Sequence, residues 1–253
     1  MFNFDGPTKP VVREEFKGRV GWIEAASSSF TEQEFSPLAV QGDVTLRLCN
    51  GHSQSKSHQV AKDTEVVPMV YEGGFKIWEC SFDIIHSLTS LSNTDNGLRI
   101  LDLGCGAGVV GIWCLLRFPQ ATVVFHDLND TVLEQVTIPN CSANGVLDRA
   151  KFCCGPWHLA RDLGKYDLIL SADTMYSLDA LPDLIDILLR TLASPNSRAV
   201  LAAKRYYFGV GGGSSSFLEL ARSSPAATAC VLTSVADGAS NIRDVVEFKL
   251  SNN

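Results

Sequence analysis

The sequence has no apolar run approaching the about eighteen residues that a membrane helix needs. Its first residues, MFNFDGPTKPVVREEFKG, place charges and prolines where a signal peptide requires an apolar segment, so neither membrane spanning nor classical secretion is expected. Cys-x-x-Cys pairs are also missing. The eight cysteines, at 49, 80, 105, 114, 141, 153, 154 and 230, are scattered without regular spacing and fall mostly inside apolar runs. That usage points to reduced core thiols in a cytoplasmic or nuclear protein and gives no support to a zinc or other metal site. An excess of basic charge is absent as well: 21 Lys and Arg stand against 28 Asp and Glu, a formal charge of −7. This balance argues against direct nucleic-acid binding and suits a basic protein partner.

What is present is enough apolar material for a real core: 45% of 253 residues are hydrophobic, which excludes disorder as the dominant state. Residues 1–62 are of mixed texture, with SSS, a short apolar stretch from Leu38 to Leu48 and the polar run CNGHSQSKSHQ. They read as an N-terminal extension with one or two strands followed by a flexible linker. Residues 63–253 read as one domain. A helix is predicted from about 76 to 91, because Ile77, Cys80, Ile84 and Leu88 recur at three- and four-residue intervals. LRILDLG, ATVVFHD, KFCC, KYDLILSA and RAVLAAK then alternate as strands with helical segments, one of them expected to be capped by Asn129 or Asp130 and to end near Pro139. ACVLTSV and RDVVEFKL, separated by DGASN, predict an antiparallel edge hairpin. The fold class is therefore α/β, a Rossmann-like, mostly parallel sheet with an antiparallel C-terminal edge.

Leu101-Asp102-Leu103-Gly104-Cys105-Gly106-Ala107-Gly108 lies between the first of these parallel strands and its helix. Glycines there let a turn approach a ligand, and the helix offers free amides. Nineteen residues after Gly108, Asp127 ends the next strand, where a carboxylate can accept hydrogen bonds from both ribose hydroxyls. The arrangement predicts a nucleoside cofactor. Gly106-x-Gly108-x-x-Gly111 also satisfies a dinucleotide fingerprint. Asp102, directly before the glycines, favours the cationic amino-acid half of S-adenosylmethionine and would repel a pyrophosphate; a turn whose glycines serve only packing stands as the third reading. Asp173 and Tyr176 end the fourth strand, at the mouth of the same crevice. Their alternatives are a cap on the next turn and a lid on the core. Trp157 is a candidate adenine wall. Tyr206, Tyr207 and Phe208, followed by Gly209, Gly211, Gly212 and Gly213, read as a substrate wall on a mobile loop, or as a flexible crossover alone. His52, His58, His86 and His126 receive no catalytic role.

Residues 64–250 resemble the seven-strand, S-adenosylmethionine-dependent protein methyltransferases, and within them the protein-histidine methyltransferase branch that modifies a ribosomal protein. The resemblance is carried by Val70-Tyr71-Glu72-Gly73-Gly74-Phe75-Lys76-Ile77-Trp78-Glu79-Cys80, the LDLGCGAG turn, Thr137-Ile138-Pro139-Asn140, Tyr166-Asp167-Leu168-Ile169-Leu170 and Tyr207-Phe208-Gly209-Val210-Gly211-Gly212-Gly213. It implies a cofactor pocket of Trp78, Asp102, Gly104, Gly106, Asp127, Asn129 and Trp157. Asp173-x-x-Tyr176 matches the acid-x-x-aromatic motif that borders the transfer centre, and Tyr207 and Phe208 would form the substrate slot. The implied reaction makes N-methylhistidine and S-adenosylhomocysteine without a metal. Asp173 replaces the glutamate usual in the histidine branch, and Tyr206 a common histidine, so a lysine acceptor is the competing expectation. A nicotinamide oxidoreductase and a non-catalytic, cofactor-binding adaptor of ribosomal or chaperone proteins are the readings from other classes.

Overall fold

The computed structural model describes residues 16, 18–25, 35–40, 44–49, 72–89, 97–160, 162–209, 211–238 and 241–251. The linker expected between 50 and 62, and Val70 and Tyr71 of the resemblance, lie outside the described residues. Three N-terminal strands, β1 (Gly21–Ile23), β2 (Phe35–Val40) and β3 (Val44–Cys49), precede helix α1 (Glu79–Leu88). The parallel unit then runs β4 (Arg99–Leu103), α2 (Val109–Arg117) and β5 (Thr122–Asp127). The helical connection that follows comprises α3 (Asp130–Val132), a π turn (Leu133–Thr137) and α4 (Ile138–Ala143), and leads to β6 (Ala150–Cys154). The chain continues with β7 (Leu168–Ala172), α5 (Leu181–Thr191), β8 (Arg198–Lys204), α6 (Ser214–Arg222), β9 (Ala227–Val235) and β10 (Arg243–Leu250).

The main sheet has the order β1-β6-β5-β4-β7-β8-β10-β9. Strands β6, β5, β4, β7 and β8 are parallel, and β10 and β9 add the expected antiparallel edge. Thus the seven-strand sheet is there, with one strand more: β1 pairs antiparallel with β6 and gives the opposite edge the same blunt ending. Of the described part of the segment before residue 62, β1 joins this sheet, whereas β2 and β3 pair with each other and β3 packs on α2 and α4. Leu46 is fully buried with α2-side residues, and Asn140 Oδ1 accepts the Cys49 N–H at 2.8 Å.

Central strands are mostly apolar because both faces are covered. Along β4, Ile100 points into the layer under α1 and α2 and Leu101 into the layer under α5 and α6. His126 occupies such a position in β5, and burial lowers its pKa to about 4, so it is a neutral core residue. No helix among the described residues is long and apolar enough to cross a membrane. The helix expected to end near Pro139 instead continues to Ala143. Proline cannot donate to the preceding turn and its ring crowds the carbonyl four residues back. The π turn just before it widens the spiral there, so the chain passes the proline without breaking.

Candidate functional site

The carboxyl ends of β4, β5 and β7 open into a cavity of about 350 Å³. Trp78, Asp102, Gly104, Gly106, Asp127, Trp157, Asp173, Tyr176 and Tyr207 all line it. Of the predicted site residues, Asn129 and Phe208 do not. The Asn129 backbone N–H is used at 3.1 Å on Asp127 Oδ1, while Leu128 supplies the wall. Phe208 is 83% exposed, because consecutive residues in the turn face opposite ways and Tyr207 takes the inward position.

The glycine turn is fixed from both sides. The His126 carbonyl accepts the N–H groups of Gly104 and Cys105 at 2.8 and 2.9 Å. From behind, the Thr137 hydroxyl donates to the Gly106 carbonyl at 2.6 Å and the Asn140 amide to the Ala107 carbonyl at 2.9 Å. The Thr-Ile-Pro-Asn segment is thus the brace of the turn. Gly106 adopts φ 50°, and a Cβ on it would come within 3.0 Å of the Gly74 carbonyl. Gly111 serves packing instead, since a Cβ there would lie 2.4 Å from the Phe125 ring.

Asp102 is 3% exposed, and its Oδ2 accepts the Gly111 N–H at 2.9 Å. Gly111 is the third residue of α2, so the helix terminus already holds a carboxyl of this chain in the position a pyrophosphate would need. Together with Asp127 and Glu72 on the wall, this donor set fits a cationic sulfonium amino acid and not a dinucleotide. Asp127 Oδ2 accepts the Gly106 N–H at 2.9 Å. Trp78, Trp157 and Ile77 supply flat and apolar walls for a purine. Trp157 is held by Arg190, whose guanidinium donates to the Trp157 and Ala160 carbonyls at 3.2 and 3.3 Å.

Burial raises the Asp102 carboxyl to about 7, the Gly111 amide drawing it back and Asp127 pushing it further. Binding of an ammonium group requires the ionised form. From pH 7 to 6 the ionised fraction falls about fivefold, and it falls about tenfold for the next unit. We expect S-adenosylhomocysteine affinity, measured by calorimetry, to weaken about fivefold or more from pH 7 to 6, and Asp102→Asn to leave only the smaller fall, about twofold, that the Asp127 carboxyl at about 6 contributes; equal affinity at pH 7 and 6 in the unaltered protein contradicts this role.

At the other end of the cavity Asp173 has φ 55°, a strained setting for a side-chain-bearing residue. It is 8% exposed, and burial raises its pKa against the pull of its Tyr207 and Cys80 contacts. The carboxylate caps α1, accepting the Cys80 N–H at 3.2 Å, and does not cap the turn that follows it. Tyr176 and Tyr207 stand edge to face with centroids 6.4 Å apart, and Tyr176 is hydrogen-bonded to Glu72.

The described part of the glycine-rich segment docks on the turn after β7. Gly212 and Gly213 donate to the Tyr176 and Met175 carbonyls at 3.1 and 2.7 Å, and Ser177 bridges Gly211. A Cβ on Gly212 would lie 2.3 Å from Met175 and Tyr176 backbone atoms, so glycine is required for backbone to meet backbone. Both ends of the segment are tied to Asp244, which is 2% exposed. It accepts from Arg205 at 2.7 and 3.0 Å and from the Ser214 and Ser234 hydroxyls at 2.6 Å. Burial pushes Asp244 up, but these donors outweigh it and hold the carboxyl at about 2. Asp244 was not singled out in the sequence, and no local pattern marks it; Lys204 and Arg205 open the aromatic and glycine-rich cluster and Glu72 lies in the resemblance motif, but none was given a role there.

A sequence-family profile described as lysine methyltransferase matches residues 68–223. The chain belongs to this family. It is 41% identical over 189 residues to a histidine protein methyltransferase 1 homolog of Dictyostelium discoideum, covering 73% of this chain and 60% of that one. It is 31% identical over 132 residues to an EEF1A lysine methyltransferase 3 of Mus musculus, covering 51% of this chain and 55% of that one. The chain thus spans about half to three fifths of the curated relatives it matches. Among solved structures, an O-methyltransferase family protein from Burkholderia thailandensis superposes with a TM-score of 0.54 at 14% identity, covering 68% of this chain and 57% of that one. The fold of this lysine methyltransferase family member is accordingly the Rossmann-like methyltransferase sheet.

Proposed function

We propose that the protein transfers a methyl group from S-adenosylmethionine to a histidine side chain of a basic protein, with a ribosomal protein as the substrate. The observation that carries the reading is that one cavity among the described residues joins a cradle for a cationic nucleoside to an end lined by Tyr176, Tyr207 and Asp173. The histidine choice is supported by the name of the Dictyostelium relative and by the aromatic lining that Tyr176 and Tyr207 give this end of the cavity. When bound, S-adenosylmethionine supplies an activated methyl on sulfonium, so no further activation of the donor is needed. Trp78, Asp102, Gly104, Gly106, Asp127 and Trp157 would hold it. The protein's remaining work is orientation and water exclusion, which bring the acceptor nitrogen to a near-attack geometry. The acidic surface, at a net charge of −7, favours a basic substrate, and the cytoplasm or nucleus is the compartment where such a ribosomal protein would be met. The exposed Phe208 and Leu178, on adjoining turns at the rim, offer apolar contact to residues flanking the acceptor.

Lysine methylation is the second reading, favoured by the family description and by the murine relative. The test is to incubate the purified chain with labelled S-adenosylmethionine and methylation-deficient ribosomal proteins, and to locate the label by fragment mass spectrometry. Methylhistidine is expected. Methyllysine would replace the acceptor within the same family, and cofactor binding without transfer to any of these proteins would favour the adaptor.

A further inference from the structure

We propose that Tyr207 is the group that meets the acceptor ring, and that Asp173 stands behind it as a positioning residue. The inference rests on the histidine reading above. The Tyr207 hydroxyl donates to Asp173 Oδ1 at 2.5 Å and accepts the Lys204 backbone N–H at 3.3 Å. A phenol has one hydrogen and two lone pairs, so one lone pair is left, on a ring that lines the cavity. Both Asp173 oxygens are engaged, Oδ1 by the Tyr207 hydroxyl. Asp173 Oδ2 takes the Cys80 N–H at 3.2 Å, its backbone N–H donates to the Ala202 carbonyl at 2.8 Å, and its φ of 55° fixes the direction of the carboxylate.

An imidazole entering the cavity beside the Tyr176–Tyr207 pair would donate its N–H to the remaining Tyr207 lone pair. Its other nitrogen, bearing the free lone pair, then faces the methyl group. The tautomer is thereby selected by polarity: Asp173 holds the Tyr207 hydrogen away from the cavity and leaves an acceptor pointing in. As the C–N bond forms, the S–CH3 bond breaks with its electron pair kept by sulfur, and the ring becomes an imidazolium. Its N–H proton passes to the Tyr207 oxygen while Tyr207's own proton moves to Asp173, from which water takes it. The burial that disfavours the Asp173 carboxylate suits that acceptance, and burial together with the Asp173 charge keeps Tyr207 a neutral phenol throughout.

Asp173→Asn is a sharp probe, because asparagine tolerates positive φ and the backbone is preserved. With its oxygen kept for the Cys80 amide, its NH2 would face Tyr207 and turn the phenol hydrogen into the cavity. Imidazole and 1-methylimidazole, which has no N–H, are titrated by NMR into the S-adenosylhomocysteine complex. The unaltered protein should prefer imidazole by about fivefold or more, the worth of one hydrogen bond to a polarised acceptor. Both Tyr207→Phe and Asp173→Asn should abolish that preference, with S-adenosylhomocysteine affinity retained as the check on folding. In transfer assays Tyr207→Phe should lower kcat roughly tenfold to a hundredfold, and adding Asp173→Asn should cost less than about threefold more. Equal affinity for the two azoles in the unaltered protein, binding of neither, or multiplicative effects of the two substitutions would overturn the relay. Methylhistidine by mass spectrometry alongside any of these results leaves the function standing, whereas methyllysine overturns the histidine reading itself.

Discussion

Replacing Asp127 by alanine is expected to weaken S-adenosylhomocysteine binding by about a hundredfold or more. Asp127 serves two purposes. Its carboxylate holds the Gly106 N–H at 2.9 Å and the Asn129 N–H at 3.1 Å, tying the glycine turn to the loop after β5. It is also 7% exposed at the cavity wall, where acceptor lone pairs remain for ribose hydroxyls. Charge-assisted hydrogen bonds contribute about 1.5 to 3 kcal/mol each, so losing two toward the ligand costs about 3 kcal/mol or more, equivalent to a factor of a hundred. Burial raises the Asp127 carboxyl to about 6, opposed by the Asn129 and Gly106 amides and reinforced by Glu72, so the group is ionised at pH 7.5. Calorimetry at that pH decides the matter. Asp127→Asn should fall between alanine and the unaltered protein, since an amide keeps one oxygen and presents a donor to the second amide. An alanine variant binding within about threefold of the unaltered protein would show that the ribose is held elsewhere.

Asp127 was legible in the sequence because its signal is local: a carboxylate at the end of an apolar run, a fixed step beyond a glycine turn. The same locality explains why the succession of strands and helices and the Trp157 wall could be read, whereas Trp78 entered through the family resemblance. What the sequence conceals is pairing across long separations. Asp244 and Arg205 are 39 residues apart, and only the antiparallel register of β10 on β8 brings them together. The Asp173 contact with Cys80 spans 93 residues. Turn direction was equally hidden: composition cannot tell that Tyr207 faces the cavity and Phe208 solvent. The helix runs on through Pro139 because the π turn before it makes room for the ring, and a π turn has no propensity signature in the sequence.

The glycine-rich wall yields the second large effect. Gly213→Ala is expected to reduce methyl transfer by about a hundredfold while leaving S-adenosylhomocysteine affinity within about threefold. Gly213 has φ 138° and ψ 171°, a region that only glycine occupies without strain of order 1–3 kcal/mol. A Cβ there would also lie 2.2 Å from the Arg205 carbonyl and 3.0 Å from the Tyr206 Cα, both backbone atoms that cannot rotate away. The turn would have to withdraw, releasing the 2.7 Å bond from the Gly213 N–H to the Met175 carbonyl and shifting Tyr207 off Asp173. Gly209 is the control in the same turn. It has φ 86° but nothing within 4 Å of a Cβ, so Gly209→Ala meets strain without a clash and should cost far less. A mobile lid predicts the opposite ordering: its rate depends on freedom at the tip, so Gly209→Ala would be as harmful as Gly213→Ala or more so. Comparing the two variants for transfer rate at saturating cofactor therefore separates a wall from a lid, because the wall fails only where backbone must touch backbone.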